Sequence, residues 1–467
     1  MKFEVEVGSL RDAIAHARVT TDTTLPIYQG LYLEATNHPD GGKLEVFSMK
    51  LGAKSLFSLP ANVYIAGTIV VRGEQILAGL RGHASNLPVT LTFSEKTNRL
   101  HGLCAGSKFQ MASLDGQTTL GNSMRSLPRS TVIGSSYDAG LLRVVDKRAS
   151  WCAQNDGPKS STVEALHFKS TETGYTALAT DGYLAVRVEV TTNLTSQNRI
   201  ILRESLVSVC KFLGHNIGDQ LRVSDAPPVD SLSRETFFQA PGFTYSSGVS
   251  SSTMPEIEAI FHHSDFKPTR EVLVTRTALV SILQRISGFT GKIAPSVKLT
   301  LRNSILTIST AYEDGNCVEN LEIIYSDHSP LPEDLSPVSV CVSNIFLSKV
   351  LAALDSEVLM LGIRSGVAPL IVSDERNEDV NTRYAIMGMR PSLEVIEEEA
   401  DSITELTVVS AIEATEAPVV DDFDFMDDDD DDDDENDDDD ENDDEVEDLN
   451  AAGPESDAIP LGATEGS

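Results

Sequence analysis

The chain has 467 residues, 40% of them hydrophobic, with 72 acids against 36 bases and a formal net charge of -36. Its length points to about three domains. The start, Met1-Lys2-Phe3-Glu4-Val5-Glu6-Val7, alternates like a strand, with no signal-peptide core, and no apolar run approaches membrane-spanning length, so a cytoplasmic protein is expected. The charge is unevenly spread. From Leu393 onward there are 33 acids and no Lys or Arg, leaving 39 acids against 36 bases in the preceding part, a net of -3. Cys104, Cys152, Cys210, Cys317 and Cys341 are odd in number, widely spaced and without a C-x-x-C pair, which excludes a disulfide framework or zinc site and predicts buried free thiols.

Taken in order, the first helix carries an apolar stripe of Leu10, Ala13, Ile14 and Ala17. Strands follow at Gly30–Glu34 and Lys43–Phe47, parted by the turn-rich Asn37-His38-Pro39-Asp40-Gly41-Gly42. A strand at Thr68–Val71, a helix over Arg72–Arg81 and a strand at Pro88–Phe93 close the first unit. The second unit opens with a helix from Asp138 to Ala153, with Leu141, Leu142, Val145 and Ala149 inward. It ends with a strand at Arg199–Leu202, a helix over Arg203–Leu213 and a strand at Gln220–Val223. The third repeats the pattern: a helix striped by Leu279, Ile282, Leu283 and Ile286, a strand at Val338–Val342, a helix over Ser343–Leu354 with Phe346, Val350 and Leu354 inward, and a strand at Val358–Leu361. Two helices with many strands, three times over, predict an α+β protein with helices on one side of antiparallel sheets. The joins are expected in the turn-rich segments near residues 127 and 268. The nearly continuous acid run Asp427–Asp440 repels itself and cannot bury a core, so the tail is expected to be disordered.

No catalytic constellation stands out, and no cofactor or metal is expected. Gly288-Phe289-Thr290-Gly291-Lys292 has the wrong spacing for a phosphate loop, with Ile293 where Ser or Thr is required. His262 and His263 are adjacent, which seldom aims both rings at one ion, and read as a solvated loop. Bases recur on the repeated helices: Arg11 and Arg18, Arg72 and Arg81, Arg143, Lys147 and Arg148, Lys211, then Arg276, Arg285 and Lys349. On any one helix they read as a solvated face. On six helices of a near-neutral body they predict contacts to phosphates by charge, without sequence readout. Sparse aromatics on these helices argue against stacking on a single strand.

Four short motifs stand out in order along the chain: Met1-Lys2-Phe3, Thr24-Leu25-Pro26-Ile27 after the first helix, Ala179-Thr180-Asp181-Gly182, and Tyr384-Ala385-Ile386-Met387-Gly388-Met389-Arg390. Through them and the threefold repeat the sequence resembles the bacterial DNA polymerase III beta subunit, the sliding clamp, over residues 1–391. It implies clamp domains at 1–127, 128–267 and 268–391, with 392–467 as an added acidic tail. It also implies a head-to-tail homodimer whose twelve helices line a hole for double-stranded DNA, with a replicative polymerase and a clamp loader as partners and no membrane. A partner-peptide pocket carried over by motif comprises Val163, Thr180, Gly182, Tyr183, Leu184, Pro255, Ile260, Ile386, Met387, Met389 and Arg390. Several positions depart from the family pattern. Tyr183 runs directly into Leu184 where an Arg usually intervenes, Gly388 stands where Pro is usual, Ala259 lies near where Arg is frequent, and Asp22 or Thr23 replaces an Arg before Thr24. These departures suggest a divergent member of bacteriophage origin whose partners carry a modified peptide.

For the tail three roles compete: a solubilising extension, an intramolecular mimic of DNA, and recruitment through Asp421-Asp422-Phe423-Asp424-Phe425-Met426. For the whole chain, the alternative to a clamp is a non-enzymatic interaction protein that keeps the fold and sequesters basic partners through the tail.

Overall fold

The computed structural model describes residues 1–390 apart from 22–23, 40, 51, 129–131, 133, 154–163, 195, 214–219, 226–234, 249–255, 291–294, 313–314, 325–335, 367 and 375–378. The acidic tail lies outside the described residues. One order of elements occurs three times. The first run is β1 (Lys2–Glu6), α1 (Val7–Arg18), β2 (Leu31–His38), β3 (Gly41–Lys50), β4 (Ala53–Pro60), the short β5 (Asn62–Ile65), β6 (Gly67–Val71), α2 (Gly73–Leu80), β7 (Pro88–Ser94), β8 (Arg99–Cys104) and β9 (Ser107–Ala112). After a connecting helix α3 (Gln117–Arg125) comes the second: β10 (Ser135–Asp138), α4 (Ala139–Ala149), β11 (Ala165–Ser170), β12 (Gly174–Thr180), β13 (Leu184–Thr191), β14 (Arg199–Leu202), α5 (Arg203–Phe212), β15 (Gln220–Asp225), β16 (Glu235–Ala240) and β17 (Phe243–Gly248). After α6 (Glu258–His262) comes the third: β18 (Arg270–Thr275), α7 (Arg276–Ser287), β19 (Ser296–Arg302), β20 (Ile305–Tyr312), β21 (Gly315–Glu322), β22 (Val338–Ser343), α8 (Asn344–Ala353), β23 (Val358–Ile363), β24 (Leu370–Asp374) and β25 (Val380–Ile386). No helix among the described residues is long and apolar enough to cross a membrane.

The helices form where the apolar period requires them. Leu10, Ala13, Ile14 and Ala17 of α1 and Leu279, Ile282, Leu283 and Ile286 of α7 are all buried in the main core. Asp138 caps α4, its carboxylate accepting from Leu141 N at 3.0 Å, and the Ser343 hydroxyl accepts from Phe346 N at the start of α8. Two inward assignments shift. In α8 the buried stripe is Leu347, Val350, Leu351 and Leu354, and Phe346 is half-buried at its margin, as is Leu141 in α4. The expected helix to Ala153 ends at Ala149 and tightens into a 3-10 turn over Ser150–Ala153. All five cysteines are free thiols; four are buried and Cys317 is half-buried.

The strands do not stay within their runs. Each run supplies two half-sheets, and halves of neighbouring runs pair into eight-stranded sheets. One has the order β10-β15-β16-β17-β4-β3-β2-β6, the other β14-β11-β12-β13-β25-β24-β23-β18. The expected joins near 127 and 268 fall in the connections that precede β10 and β18, while the sheets continue across them. Two groups stay separate: β5-β1-β7-β8-β9, from the first run, and β21-β20-β19-β22, from the third.

At the first junction β17 pairs antiparallel with β4 through Phe243↔Phe57, Tyr245↔Ser55 and Ser247↔Ala53. Ser58 N donates to Gly242 O and Gly248 N to Gly52 O, which makes Tyr245↔Ser55 a non-hydrogen-bonded pair. Rings fill the helix side. Phe212 lies 5.3 Å from Phe57 and 5.0 Å from Phe243, and His16 of α1 meets its edge at 5.2 Å. Burial lowers the His16 pKa below its ordinary value, against an opposing pull from Asp12. A depressed histidine pKa means that neutral His16 contributes stability at neutral pH, which is lost as the pH falls through the folded-state value. His16→Phe should keep the ring packing and remove this part of the acid destabilisation. Urea unfolding from about pH 7 to about pH 5 should therefore show a smaller loss of stability in the variant than in the wild type.

Candidate nucleic-acid and partner interfaces

The bases singled out on the helices divide by what they touch. Arg72 and Arg81, at either end of α2, and Lys211 and Lys349 are exposed and make no ion pair among the described residues. Arg11 donates to the Ser85 hydroxyl at 2.8 Å. Three others are held by carboxylates: Arg18 by Glu74 at 2.8 Å, Lys147 by Asp355 at 2.6 Å, and Arg285 by both oxygens of Glu319 at 2.8 and 2.9 Å. The bidentate contact holds the Glu319 carboxyl below its usual range and raises Arg285. Arg143 and Arg276 are spent on backbone carbonyls. Arg143 donates to Leu213 O at 2.7 Å, and Arg276 to Ser356 O and Leu351 O at 3.1 and 3.3 Å.

Arg148 corrects the sequence reading. It was assigned to the phosphate-facing set, but only 2% of it is exposed. Its guanidinium donates to Thr382 Oγ1 at 2.8 Å and pairs with the buried Asp374 at 3.2 Å, while the Tyr384 hydroxyl donates to the Arg148 carbonyl at 2.7 Å. Trp151 stacks on Tyr384 with ring centres 5.9 Å apart. A charge taken out of water needs such a set of partners, and the nearest come from β24 and β25, with Asp355 after α8 further off at 3.9 Å. Arg148 is thus the side-chain lock of the second junction, where β13 pairs with β25.

The partner-pocket residues also separate. Thr180 is buried at the end of β12, its hydroxyl donating to Leu184 O at 2.7 Å and accepting from Gly182 N at 3.0 Å. Asp181 Oδ1 accepts from Tyr183 N and Leu184 N at 2.8 and 2.7 Å. Gly182 turns the chain at φ 94°, a left-handed geometry that favours glycine. The turn throws Tyr183 outward, 68% exposed, and Met387 N donates to Tyr183 O at 2.9 Å, which places the 42% exposed Met387 beside it. Leu184 and Ile386 face the other way. Both are inward core residues, because alternation along the paired strands puts Ala185 and Ala385 on the outer face. Ile260 of α6 packs on that outer face with Phe261, against Leu178, Ala185, Ile257, Ile371 and Ala385. Met389 is half-buried, its N–H donating to Cys341 O at 2.7 Å, and Arg390 is exposed. Val163 and Pro255 lie outside the described residues. The motifs do not single out the outer-face residues Leu178, Ala185, Ile371 and Ala385; the period-two alternation of β12, β13, β24 and β25 is the signal that marks them.

Among the described residues no group of His, Cys, Asp and Glu could hold a metal ion, and His262 and His263 are exposed.

No protein-family model and no curated protein matches the sequence. Solved structures do match. The DNA polymerase sliding clamp of Pseudomonas aeruginosa aligns over 84% of this chain and 99% of its own, at 15% identity and a TM-score of 0.69. The sliding clamp of Bartonella birtlesii, solved with griselimycin bound, aligns over 84% and 99%, at 17% identity and 0.68. The sliding clamp of Caulobacter crescentus aligns over 84% and 100%, at 18% identity and 0.66. The chain has the fold of the bacterial sliding clamps, as the sequence motifs suggested, with three repeats of two helices and antiparallel sheets.

The placement of Arg148 separates it from the exposed bases in a stability measurement. Arg148→Met strands the Asp374 charge and should cost about 3–5 kcal/mol in urea unfolding. Lys349→Met, on an exposed face, should change stability by no more than about 0.5 kcal/mol.

Proposed function

We propose that this chain is a DNA sliding clamp: a non-enzymatic cytoplasmic subunit that closes head to tail with a second copy into a ring around duplex DNA and tethers a polymerase there. The observation that carries the reading is the pair of half-sheets left over at the two ends of the repeat. The edge strand β9 corresponds in order to β17 and β25, and β21 corresponds to β4 and β13; β17 is paired with β4 and β25 with β13. Pairing β9 of one copy with β21 of the other completes the set, and doing so twice closes a ring. Open edges of this kind otherwise invite uncontrolled pairing. Exposed apolar side chains stand beside both edges, Leu103 at 47% and Phe289 at 46%.

The first junction also gives the register. The hairpins that carry β4 and β21 both turn in two residues, Lys50↔Ala53 and Tyr312↔Gly315, and so do those that carry β17 and β9, Ala240↔Phe243 and Cys104↔Ser107. Transferring Phe243↔Phe57, Tyr245↔Ser55 and Ser247↔Ala53 gives Ser107↔Glu319, Phe109↔Cys317 and Met111↔Gly315 across the seam. Tyr183, Met387 and the apolar outer face beneath α6 supply an adaptable surface for a peptide anchor from a polymerase or clamp loader. Arg11, Arg72, Arg81, Lys211 and Lys349 are the bases of the duplex-facing set that are held by neither a carboxylate nor a backbone carbonyl among the described residues. The three clamp domains are taken as 1–127, 128–267 and 268–391.

Two measurements test this. In solution the protein should be a dimer of about 100 kDa, twice the 50.4 kDa chain mass, and once loaded it should stay on circular duplex DNA and slide off a linear one. A monomer that leaves both DNAs equally would overturn the ring. The second measurement tests the register. The Phe109↔Cys317 pair should be non-hydrogen-bonded, with Cα atoms about 4.5 Å apart, within the span of a disulfide. Phe109→Cys under mild oxidation should cross-link to the native Cys317 of the partner as a covalent dimer, and adding Cys317→Ser should abolish the band.

A further inference from the structure

Three of the bases assigned by sequence to the phosphate-facing set are held by carboxylates. Two of those pairs are exposed on both sides. The Arg18 and Glu74 side chains are 41% and 67% exposed, and those of Lys147 and Asp355 53% and 63%. Glu74 lies in the first turn of α2 and reaches across to the last residue of α1. Asp355 follows α8 and reaches across to α4. The third pair, Arg285 with Glu319, differs, because Glu319 belongs to the free-edge strand β21 and is largely covered. In both exposed pairs a carboxylate on one helix-bearing segment occupies a base on the neighbouring helix, both in contact with water; Asp355 in addition lies 3.9 Å from the buried Arg148.

Exposed pairs of this geometry contribute little to stability, because solvent screening and side-chain entropy offset the attraction. Their effect on a polyanion is larger. A base that already holds a carboxylate has to exchange it before it neutralises a phosphate, so it contributes little to counterion release. The carboxylate also repels the phosphate. Each pair thus removes one phosphate contact while leaving the net charge of the surface close to neutral, in keeping with the 39 acids and 36 bases that precede the tail.

We infer that Glu74 and Asp355 are charge-compensating residues of the duplex-facing surface, holding Arg18 and Lys147 out of phosphate contact so that the ring grips DNA weakly enough to move along it. This rests on the clamp reading and adds to it which residues set the strength of the grip. The alternative is that the two pairs are only clasps between neighbouring segments.

The test uses the full chain with Glu74→Gln and Asp355→Asn together, each of which keeps the side-chain shape and removes the charge. Affinity for a short linear duplex is measured over a series of salt concentrations. On this proposal the variant binds several-fold more tightly at low salt, and the plot of log affinity against log salt steepens by about 0.9 for each freed base. Restoring the balance by adding Arg18→Met and Lys147→Met returns both quantities to or below the wild-type values. One-dimensional diffusion of the loaded variant on circular duplex is slower than that of the wild type. Unchanged affinity and salt slope in the charge-removed variant, with or without a fall in melting temperature, would overturn the proposal and leave the pairs as clasps. The clamp reading is tested separately by retention of the wild-type protein on circular DNA. Failure there would sink the ring, whereas failure of the salt series with retention intact sinks only the role of Glu74 and Asp355.

Discussion

A β-strand edge carries unpaired N–H and C=O groups that must find partners, and that requirement organises this molecule. No run of elements completes its own sheets. Each makes two half-sheets, and a neighbour's half finishes the ladder, β17 on β4 and β25 on β13. The backbone ladder therefore fixes the relative placement of successive repeats far more strongly than a flexible linker would. The same demand is unmet within one copy at β9 and β21. An edge flanked by Leu103 or Phe289 is the kind that soluble proteins cover, and a second copy in the register of the first junction would cover both.

Because the backbone sets the joints, the side chains at them are free to differ, and they do. The tenth residue of the leading helix is His16 in α1, Arg148 in α4 and Arg285 in α7, by the alignment of the buried stripes in the three helices. His16 packs among phenylalanines, Arg148 is sealed in with Asp374 and Thr382, and Arg285 holds Glu319 at the open edge. The first depends on area and ring packing. The second costs desolvation that its partners must offset. The third contributes little while water reaches it, and more once a partner strand excludes water from β21. One backbone solution thus carries a dry aromatic joint, a buried ionic joint and a joint whose strength depends on being covered.

The helices and their order were legible because a 3.6-residue apolar period needs nothing but neighbours in sequence. The core of α1 and of α7 can be read directly from Leu10, Ala13, Ile14, Ala17 and from Leu279, Ile282, Leu283, Ile286. Arg148 was not legible. Its position between the apolar and polar faces of α4 permits either fate, and what decides it is an aspartate and a threonine more than 200 residues away. The facing of Leu184 and Ile386 was not legible for a different reason. They come from the separate motifs around Asp181-Gly182 and Tyr384–Arg390, and matching a motif ignores that successive residues of a strand point to opposite faces. Applying that alternation to β13 and β25 puts Ala185 and Ala385 on the outer face and Leu184 and Ile386 in the core. The fate of Arg18 and Lys147 was hidden as well, since Glu74 and Asp355 meet them only when separate helices are packed.

The charge of the protein makes sense on the ring reading once retention and affinity are treated as separate quantities. A protein held on DNA by contacts needs many unpaired bases, and its hold weakens steeply with salt. A protein held by being closed around DNA needs none of that, and too many contacts would hinder its movement along the duplex. The body fits the second case. Before the tail its acids and bases nearly cancel, and of the eleven helix bases assigned to phosphates, one is buried, two are bound to backbone carbonyls and three to carboxylates. Such a surface would make a poor DNA-binding protein of the open kind. What remains exposed without an acid partner, Arg72, Arg81, Lys211 and Lys349 with Arg11 on a serine, would be enough to orient a duplex that a closed ring retains.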